Sequence, residues 1–571
     1  VKTNALYYGD NLDILQRYVD SESVDLIYLD PPFNSNRDYN VIFRDESGRR
    51  SDAQMLAFED TWHWGPGAEE TYAYLTNTGR HHGAVPDRVS ALIAALRKGI
   101  GANQMLAYVV EMAVRLVELR RVLKPTGSLY LHCDPTASHY LKIILDSIFG
   151  PERFLNEIIW KRTHAHGARR RYGAVHDVLL VYTKSDDWTW NPVPVEYTDQ
   201  YKESFFKGTD PDGRRYRATI LTGSGTRTGE SGKAWREIDP TAIGRHWAIP
   251  GYVRELLPNP KAGVLEALDA MDEIGRILWP AKPGGTPSFK QYLNDFDGSA
   301  PQDIWSDIRP IGSHAAERLG YPTQKPVELL ERIIQASSNP GDLVLDPFCG
   351  CGTAVVAAQK LGRPWMGIDI TYLSIAVMRA RLKKSFPELE EIEIVGQPTE
   401  VAGARALAEG PNGRYQFQFW ALDLIYAEPV GGVEKKGGDR GIDGIITFTD
   451  ANHELQSVLV SVKSGHVNPS MIRDLKGTME REGAAMGVFL TLEEASKEMR
   501  TEASTAGVHH SDLWNRDYPR IQILTIRELL EEGKKADLPP FVVSTYKQAS
   551  RMKGGPDSVQ PSVWDSAKET G

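Results

Sequence analysis

The sequence predicts an α/β protein built on a mostly parallel sheet, with an irregular insert and a second, smaller α/β unit. Three observations predict it. Short apolar runs alternate with amphipathic helical stretches at both ends of the first 400 residues or so, the pattern of a parallel sheet covered on both faces. Regularity lapses between them, in a segment rich in Gly, Pro, Trp and Tyr. After Glu400 a separate β-rich stretch begins, again flanked by helical patterns.

In chain order, Ala5–Tyr8 and Val24–Leu29 read as buried strands. Met105–Leu123 has apolar residues at helical spacing, and "KPTG" stops it. Ser128–His132 is the next strand, a helix covers Ala137–Phe149, and "EIIW" and "DVLLVYT" are two further strands. Asp186–Ser313 is the insert. The α/β pattern then resumes with helices over Pro326–Ala336, Thr353–Leu361 and Thr371–Lys383 and strands over Leu343–Leu345 and Trp365–Ile368. One sheet is therefore expected from both sides of the insert. The final "KGGPDSVQPSVWDSAKETG" has the composition of a disordered tail.

Bulk properties narrow the classes. The chain has 571 residues and a formal charge of −10. No apolar run approaches the roughly 20 residues that cross a bilayer, and no secretory pattern opens the sequence. Three cysteines in such a length argue against a disulfide framework and fit a reducing cytosol. A cytoplasmic protein without membrane contact is expected. The oligomeric state is not written in the sequence; a dimer is compatible with it.

Two motifs carry chemistry. "DLVLDPFCGCGTAVVAAQKLGRPWMGIDI" is a strand, a Gly-rich turn, a helix, a second strand and a terminal acid. Small residues let the backbone approach a ligand at the strand ends. Asp369 stands about 20 residues on, where a carboxylate grips ribose hydroxyls. The dinucleotide fingerprint needs a third glycine, but Gly350-Cys351-Gly352 is followed by Thr353, Ala354 and Val355. Asp346 precedes the glycines, where it would repel a pyrophosphate. A ligand with a cationic head suits that carboxylate, so S-adenosylmethionine (AdoMet), with its sulfonium and amino groups, is favoured over NAD.

The second motif is "LIYLDPPFNSN", an apolar strand that ends in an acid, two prolines and an aromatic ring. Here the residues resemble a known family. Asp30-Pro31-Pro32-Phe33 is similar to the D/N/S-P-P-Y/F/W motif of AdoMet-dependent DNA amino-methyltransferases, and "DPFCGCGT" resembles their AdoMet loop. The motif order, DPPF first and the loop after the insert, is that of the circularly permuted class β. "GDNLDIL", "HCDPTASHYLK" and "YPTQKPVELLERI" look most like type III modification subunits.

The resemblance implies a permuted Rossmann-like methyltransferase sheet. Residues 1–185 would be the DPPF half, 186–313 an inserted target-recognition region and 314–395 the AdoMet half. It implies catalysis at Asp30, Pro31, Pro32 and Phe33. It implies AdoMet contacts at Asp10, Lys325, Pro326, Asp346, Phe348, Gly350, Gly352, Thr353 and Asp369. An Asp at the first motif position goes mainly with adenine N6 in this family, and cytosine N4 is the alternative. The substrate would be double-stranded DNA.

The chemistry explains the motif. An exocyclic amine is a poor nucleophile because its lone pair is delocalised into the ring. Acceptors from Asp30 and the Pro31 carbonyl can bind its protons and free the lone pair. The prolines hold those acceptors rigidly. The base must leave the duplex, and Phe33 would stack on it.

"WKRTHAHGARRRYG" carries five Lys/Arg and no acid. Lys161, Arg162, Arg169, Arg170 and Arg171 are therefore candidate phosphate contacts.

The C-terminal stretch, over residues 400–550, resembles the Mrr-like branch of the PD-(D/E)xK nuclease fold, with 551–571 as the tail. Val458, Val460 and Val462 alternate with Leu459, Ser461 and Lys463, which predicts one buried face and one facing elsewhere. Asp443 and Lys463 match the fold's Mg²⁺ and catalytic positions, with Asp443 the tentative metal ligand. Ser461 does not match, because a hydroxyl is a weaker metal ligand than a carboxylate. Either a nuclease with an altered site or a degenerate, DNA-binding fold follows. The sequence has no G-x-x-x-x-G-K-S/T loop, so a translocating system would need a separate restriction or motor subunit. A binding or sensing protein that uses AdoMet as a ligand is the reading from another class.

Overall fold

A computed structural model describes residues 2–32, 64–163, 172–281, 285–312, 315–319, 321, 323–389, 392–410, 413–430, 442–450 and 455–540. The chain divides into two compact units, residues 192–302 and the remainder.

The larger unit contains a nine-stranded sheet. Its strands are β1 (Ala5–Tyr8), β2 (Val24–Leu29), β3 (Leu123–Cys133), β4 (Phe154–Lys161), β5 (His176–Thr183), β6 (Ile304–Trp305), β7 (Val344–Asp346), β8 (Trp365–Asp369) and β9 (Glu393–Val395). The spatial order is β6-β4-β5-β3-β2-β7-β8-β1-β9. Only β5 runs against the others. Both halves of the sequence thus enter one sheet, and they meet where β2 pairs with β7 through Leu26↔Val344 and Ile27↔Leu345.

That seam is a switch point. From β2 the chain continues to β3 on one side, and from β7 it continues to β8 on the other. Crossovers in opposite directions leave a crevice outside the carboxyl ends of the two strands, where open α/β sheets bind ligands. The central strands are buried on both faces, as parallel strands covered by helices must be. The covering helices include α1 (Asn11–Tyr18), α2 (Gln104–Val122), α3 (Ser138–Phe149), α4 (Val327–Ser337), α5 (Thr353–Lys360) and α6 (Tyr372–Ser385).

Two expectations change. "KPTG" does stop α2, but the chain is already in β3 there: Val24 pairs with Leu123, Leu26 pairs with Ser128, and the residues between bulge out of the ladder. The insert is narrower than 186–313. Residues 303–312 belong to the larger unit, because Ile304–Trp305 adds to β4 as an edge strand and buries Trp305.

The 192–302 unit has its own antiparallel four-stranded sheet. Its core gathers Leu221, Trp235, Trp247, Leu268, Met271 and Phe289. Such a core explains why a segment without α/β periodicity still folds.

The C-terminal region forms a five-stranded sheet, β10 (Glu428–Pro429), β11 (Gly444–Thr449), β12 (Leu455–Lys463), β13 (Met486–Thr491) and β14 (Ile521–Thr525), in sequential order. Helices α7 (Gly413–Leu424), α8 (Pro469–Glu482) and α9 (Lys497–Ser504) accompany it. The second face of β12, which the alternation leaves unassigned, is packed as well. Val458, Val460 and Val462 enter one core and Leu459 enters another, so the alternation separates two cores. A central strand with crossover helices is covered twice. The first of these cores is continuous with the large sheet and includes Phe417, Trp420 and Leu422 of α7 beside Tyr372, Ile375 and Met378 of α6.

No helix among the described residues is long and apolar enough to cross a membrane. The tail 551–571 lies outside the described residues.

Trp420 is fully buried at this shared core. Trp420→Ala should destabilise the protein by about 3–5 kcal/mol, the usual cost of deleting a buried large aromatic ring. Chemical denaturation read by circular dichroism measures it.

Candidate active site at the carboxyl ends of the central strands

Four adjacent parallel strands, β2, β7, β8 and β1, end at the same edge of the sheet. Asp30 follows β2, Asp346 closes β7, Asp369 closes β8 and Asp10 follows β1. Parallel register therefore brings together acids from distant parts of the sequence.

Lys325, from the segment before α4, forms an ion pair with Asp30 Oδ2 and is itself buried. The spacing of "YPTQKP" gave no sign of this partner. The ammonium fixes one carboxylate oxygen, and an ionised carboxylate has about four acceptor sites, so further donors can be bound. Pro31 is buried and Pro32 half-buried. Phe33 lies outside the described residues.

The Asp346 carboxyl is held well above the usual carboxylate range. Burial is the main cause, opposed by a hydrogen bond from the Phe348 N–H (3.0 Å), and the neighbouring Asp30 and Asp369 charges add to the rise. Asp369 is also raised by burial, against hydrogen bonds from the Thr371 and Gly350 N–H groups (2.8 and 2.9 Å) and the Thr371 hydroxyl (2.8 Å). Three carboxylates thus share a dry crevice with Lys325 as counter-charge. A cation brought there would relieve the excess, and this is how the residues fit AdoMet.

The glycine turn is shaped for close approach. Gly350 and Gly352 have φ of +49° and +75°, a region costly for other residues. A Cβ on Gly350 would stand 3.3 Å from the Tyr321 ring, and one on Gly352 would stand 2.6 Å from Met378 Cγ. Phe348 packs against the apolar core beneath the sheet. Pro326 starts α4. The Thr353 hydroxyl donates to the Lys325 carbonyl (3.3 Å) and accepts from Arg381 (3.2 Å), so it ties the turn to neighbouring elements.

Asp10 caps α1 by accepting from the Leu12 N–H (2.8 Å) and pairs with Arg115 (2.9 Å). Arg115 also donates to Asn11 Oδ1 (2.7 Å), and Asn11 donates to the Pro347 carbonyl (2.9 Å) in the AdoMet-like loop. Sequence reasoning missed Arg115 and Asn11. A signal existed: an arginine inside the apolar face of α2, between Met112–Val114 and Leu116, needs a buried partner.

A second missed set lies beside Asp30. Tyr28 Oη is 2.9 Å from His132 Nδ1, His132 Nε2 is 3.1 Å from Asp177 Oδ2, and Arg162 Nε is 3.0 Å from Asp177 Oδ1. The Asp177 carboxyl is lowered from its usual range: burial opposes the shift, and the His132 hydrogen bond and nearby positive charges outweigh it. Arg162 is thus paired inward, against the expectation of a pure phosphate contact. Lys161 is exposed. Arg169, Arg170 and Arg171 lie outside the described residues.

In the C-terminal unit Asp443 Oδ2 accepts from the Val462 N–H (2.6 Å) and the Ser461 hydroxyl (3.3 Å), with Lys463 Nζ at 3.7 Å. The three expected positions do come together. Among the described residues no group of three His, Cys, Asp or Glu side chains is placed to hold a metal.

Comparison with known proteins gives two family matches. A family model described as DNA methylase matches residues 24–377. One described as NACHT-associated inactive restriction endonuclease 1 matches residues 424–531. The type II methyltransferase M.EcaI of Enterobacter cloacae is 33% identical over 265 residues, 46% of this chain and 54% of its own length. The Mod subunit of the type III restriction-modification enzyme StyLTI of Salmonella typhimurium is 25% identical over 373 residues, 63% of this chain and 50% of its own. The chain spans about half the length of these curated relatives. The solved structure of a DNA modification methylase from Thermus thermophilus aligns with 68% of this chain and 99% of its own at 15% identity, with a TM-score of 0.30.

The raised Asp346 carboxyl has a signed consequence. An acid whose folded pKa exceeds its unfolded value contributes stability that is full below the unfolded pKa and is lost as pH rises through the folded one. In the ligand-free protein the Asp346 contribution should therefore decline as pH climbs from about 4. Asp346→Asn keeps the Phe348 hydrogen bond and should flatten that decline. It should raise the neutral-pH melting midpoint by about 2–4 °C, the shift that roughly 1 kcal/mol gives a large domain. Calorimetric scans of both proteins across pH check this.

Proposed function

The chain belongs to the DNA methylase family, and from that premise we propose that it transfers a methyl group from AdoMet to adenine N6 in double-stranded DNA. The observation that carries this reading is the meeting of Asp30-Pro31-Pro32 with Asp346, the glycine turn and Asp369 at one end of the sheet.

AdoMet, when bound, supplies the electrophilic methyl group. The protein's own part is to hold and orient. Asp369 is positioned by Thr371 and Gly350 to accept from ribose hydroxyls. Asp346 is a buried acid whose ionised form a cationic head would stabilise. Asp30, steadied by Lys325, and the Pro31 carbonyl accept the two protons of the exocyclic amine, which localises its lone pair. Little reorganisation is then left for the moment of transfer. Asp30 is also placed to take the proton that the amine sheds after transfer. A flipped base is required, because the amine is unreachable within the stack. Phe33 is the expected stacking ring, and Lys161 with the Arg169–Arg171 run the expected phosphate contacts. Target reading is assigned to the 192–302 unit. A restriction-modification or related defence role follows, with a separate restriction or motor subunit as partner.

For the C-terminal unit, of the two readings left open, the non-cleaving one is favoured. The Asp443 oxygen that would face a metal accepts two protein hydrogen bonds, and Ser461 stands where a second acidic ligand would be. We assign it a structural or DNA-binding role without Mg²⁺.

Unmethylated DNA incubated with methyl-labelled AdoMet and digested to nucleosides should yield labelled N6-methyladenine. Asp30→Ala should lower transfer by about 10²-fold or more, as the loss of a pre-positioned polar group does, and leave AdoMet binding nearly intact. Label in N4-methylcytosine would reverse the base assignment. Transfer that survives Asp30→Ala would remove the mechanism.

DNA incubated with the protein and Mg²⁺ or Mn²⁺ should remain intact. Cleavage that disappears in Asp443→Ala would overturn the non-cleaving assignment.

A further inference from the structure

The ribose-binding corner of the proposed AdoMet site is joined by hydrogen bonds to α7 of the C-terminal region. Asp369 takes two hydrogen bonds from Thr371, one from its N–H and one from its hydroxyl. Thr371 is the N-cap of α6, accepting from the Ser374 N–H. The next residue, Tyr372, opens the helix, and its N–H is one of the donors that a helix start cannot satisfy internally. Its acceptor is Gln416 Oε1 (2.7 Å), a side chain of α7. The Tyr372 hydroxyl lies within hydrogen-bond distance of Asp423 Oδ2 of the same helix (3.1 Å) and of Gln397 Oε1 (2.9 Å), and its one proton serves either. Asp423 is ion-paired with Arg379, one helical face further along α6. Tyr372 has no exposed surface, and its ring meets Tyr8 edge-on at 5.3 Å, at the end of β1 beside Asp369.

Each link is a single contact, and together they form a continuous path: Gln416 to the start of α6, to Thr371, to Asp369. Gln416 and Asp423 bear on Asp369 through Tyr372 and Thr371. They are positioning residues, and they lie beyond residues 24–377, the stretch that matches the DNA methylase model. A carboxylate that grips two ribose hydroxyls works only while its orientation is held, and a loss of about 1 Å in placement is felt strongly.

We infer that the nuclease-like unit serves as a brace for the AdoMet site, with Gln416 and Asp423 setting the position of Asp369 through the first turn of α6. This rests on the reading of Asp369 as the ribose-binding acid. Linkage makes the effect reciprocal: AdoMet must tighten α7 as much as α7 tightens the AdoMet site.

The test uses the full chain and AdoMet itself. Isothermal titration calorimetry should show AdoMet binding about three- to tenfold weaker in Gln416→Ala, the loss of one hydrogen bond. Gln416→Glu keeps an acceptor and should bind within about twofold of the unsubstituted chain. Arg405→Ala breaks an exposed ion pair of the same C-terminal region, Arg405–Glu493, away from Tyr372, and should leave affinity unchanged. Equal affinity in Gln416→Ala and the unsubstituted chain overturns the inference. An unsubstituted chain that does not bind AdoMet overturns the underlying reading instead.

If Gln416→Ala lacks a cooperative melting transition, hydrogen exchange on the unsubstituted chain decides. Added AdoMet should slow exchange across 413–424, and unchanged exchange there, with AdoMet bound, overturns the brace.

Discussion

Negative charge gathered at one end of a parallel sheet is the constraint on which the rest of this structure depends. Strands β2, β7, β8 and β1 run the same way and lie side by side, so the acids that end them must meet. Burial keeps the Asp346 and Asp369 carboxyls above their usual range, and for Asp346 the neighbouring carboxylates add to it. Lys325 offsets part of this and Arg115 holds Asp10 at the flank. A core evolved for stability alone would not concentrate carboxylates in a dry crevice. The cost is understandable when a cationic ligand is to be bound there, since the same desolvation that raises the free carboxyls strengthens their attraction to a cation.

The second constraint is that helix α6 serves two masters. One end orients Asp369 and one side joins the core that contains Phe417 and Trp420 of the C-terminal region. A nuclease-like fold that carries Ser461 where the resemblance expects an acid can still keep these contacts, because packing and cutting draw on different residues. These contacts give the fold a use apart from cutting: without Gln416 the Tyr372 N–H would lose its acceptor in a buried place.

Much of this was legible in the sequence. The strands that end in Asp30, Asp346 and Asp369 were found from apolar runs and the acids that close them, because buried parallel strands leave a dense signal. A ligand site at the strand ends is legible in the glycine turn that follows an apolar strand. What stayed hidden were pairings between residues far apart in sequence. Lys325 with Asp30, Arg115 with Asp10, and His132 with Tyr28 and Asp177 depend on side-chain direction at strand and helix ends, to which periodicity is blind. The two-sided burial of β12 is hidden for a related reason. Alternation reports that a strand has two different faces, not what covers each of them.

The order of the motifs also has a folding consequence. Asp30 and Lys325 are 295 residues apart, with the whole 192–302 unit between them. The chain leaves β5, folds that unit, returns as the edge strand β6 and next reaches Tyr321 and Lys325. The pairing β2–β7 and the Asp30–Lys325 contact therefore close a long loop, and such closure is paid before the contacts reward it. A separate core inside the insert lightens that burden, because a folded 192–302 unit shortens the effective loop. The bridge between the two halves of the site comes after the insert in the chain, so Lys325 reaches Asp30 only where the sheet brings β2 and β7 side by side.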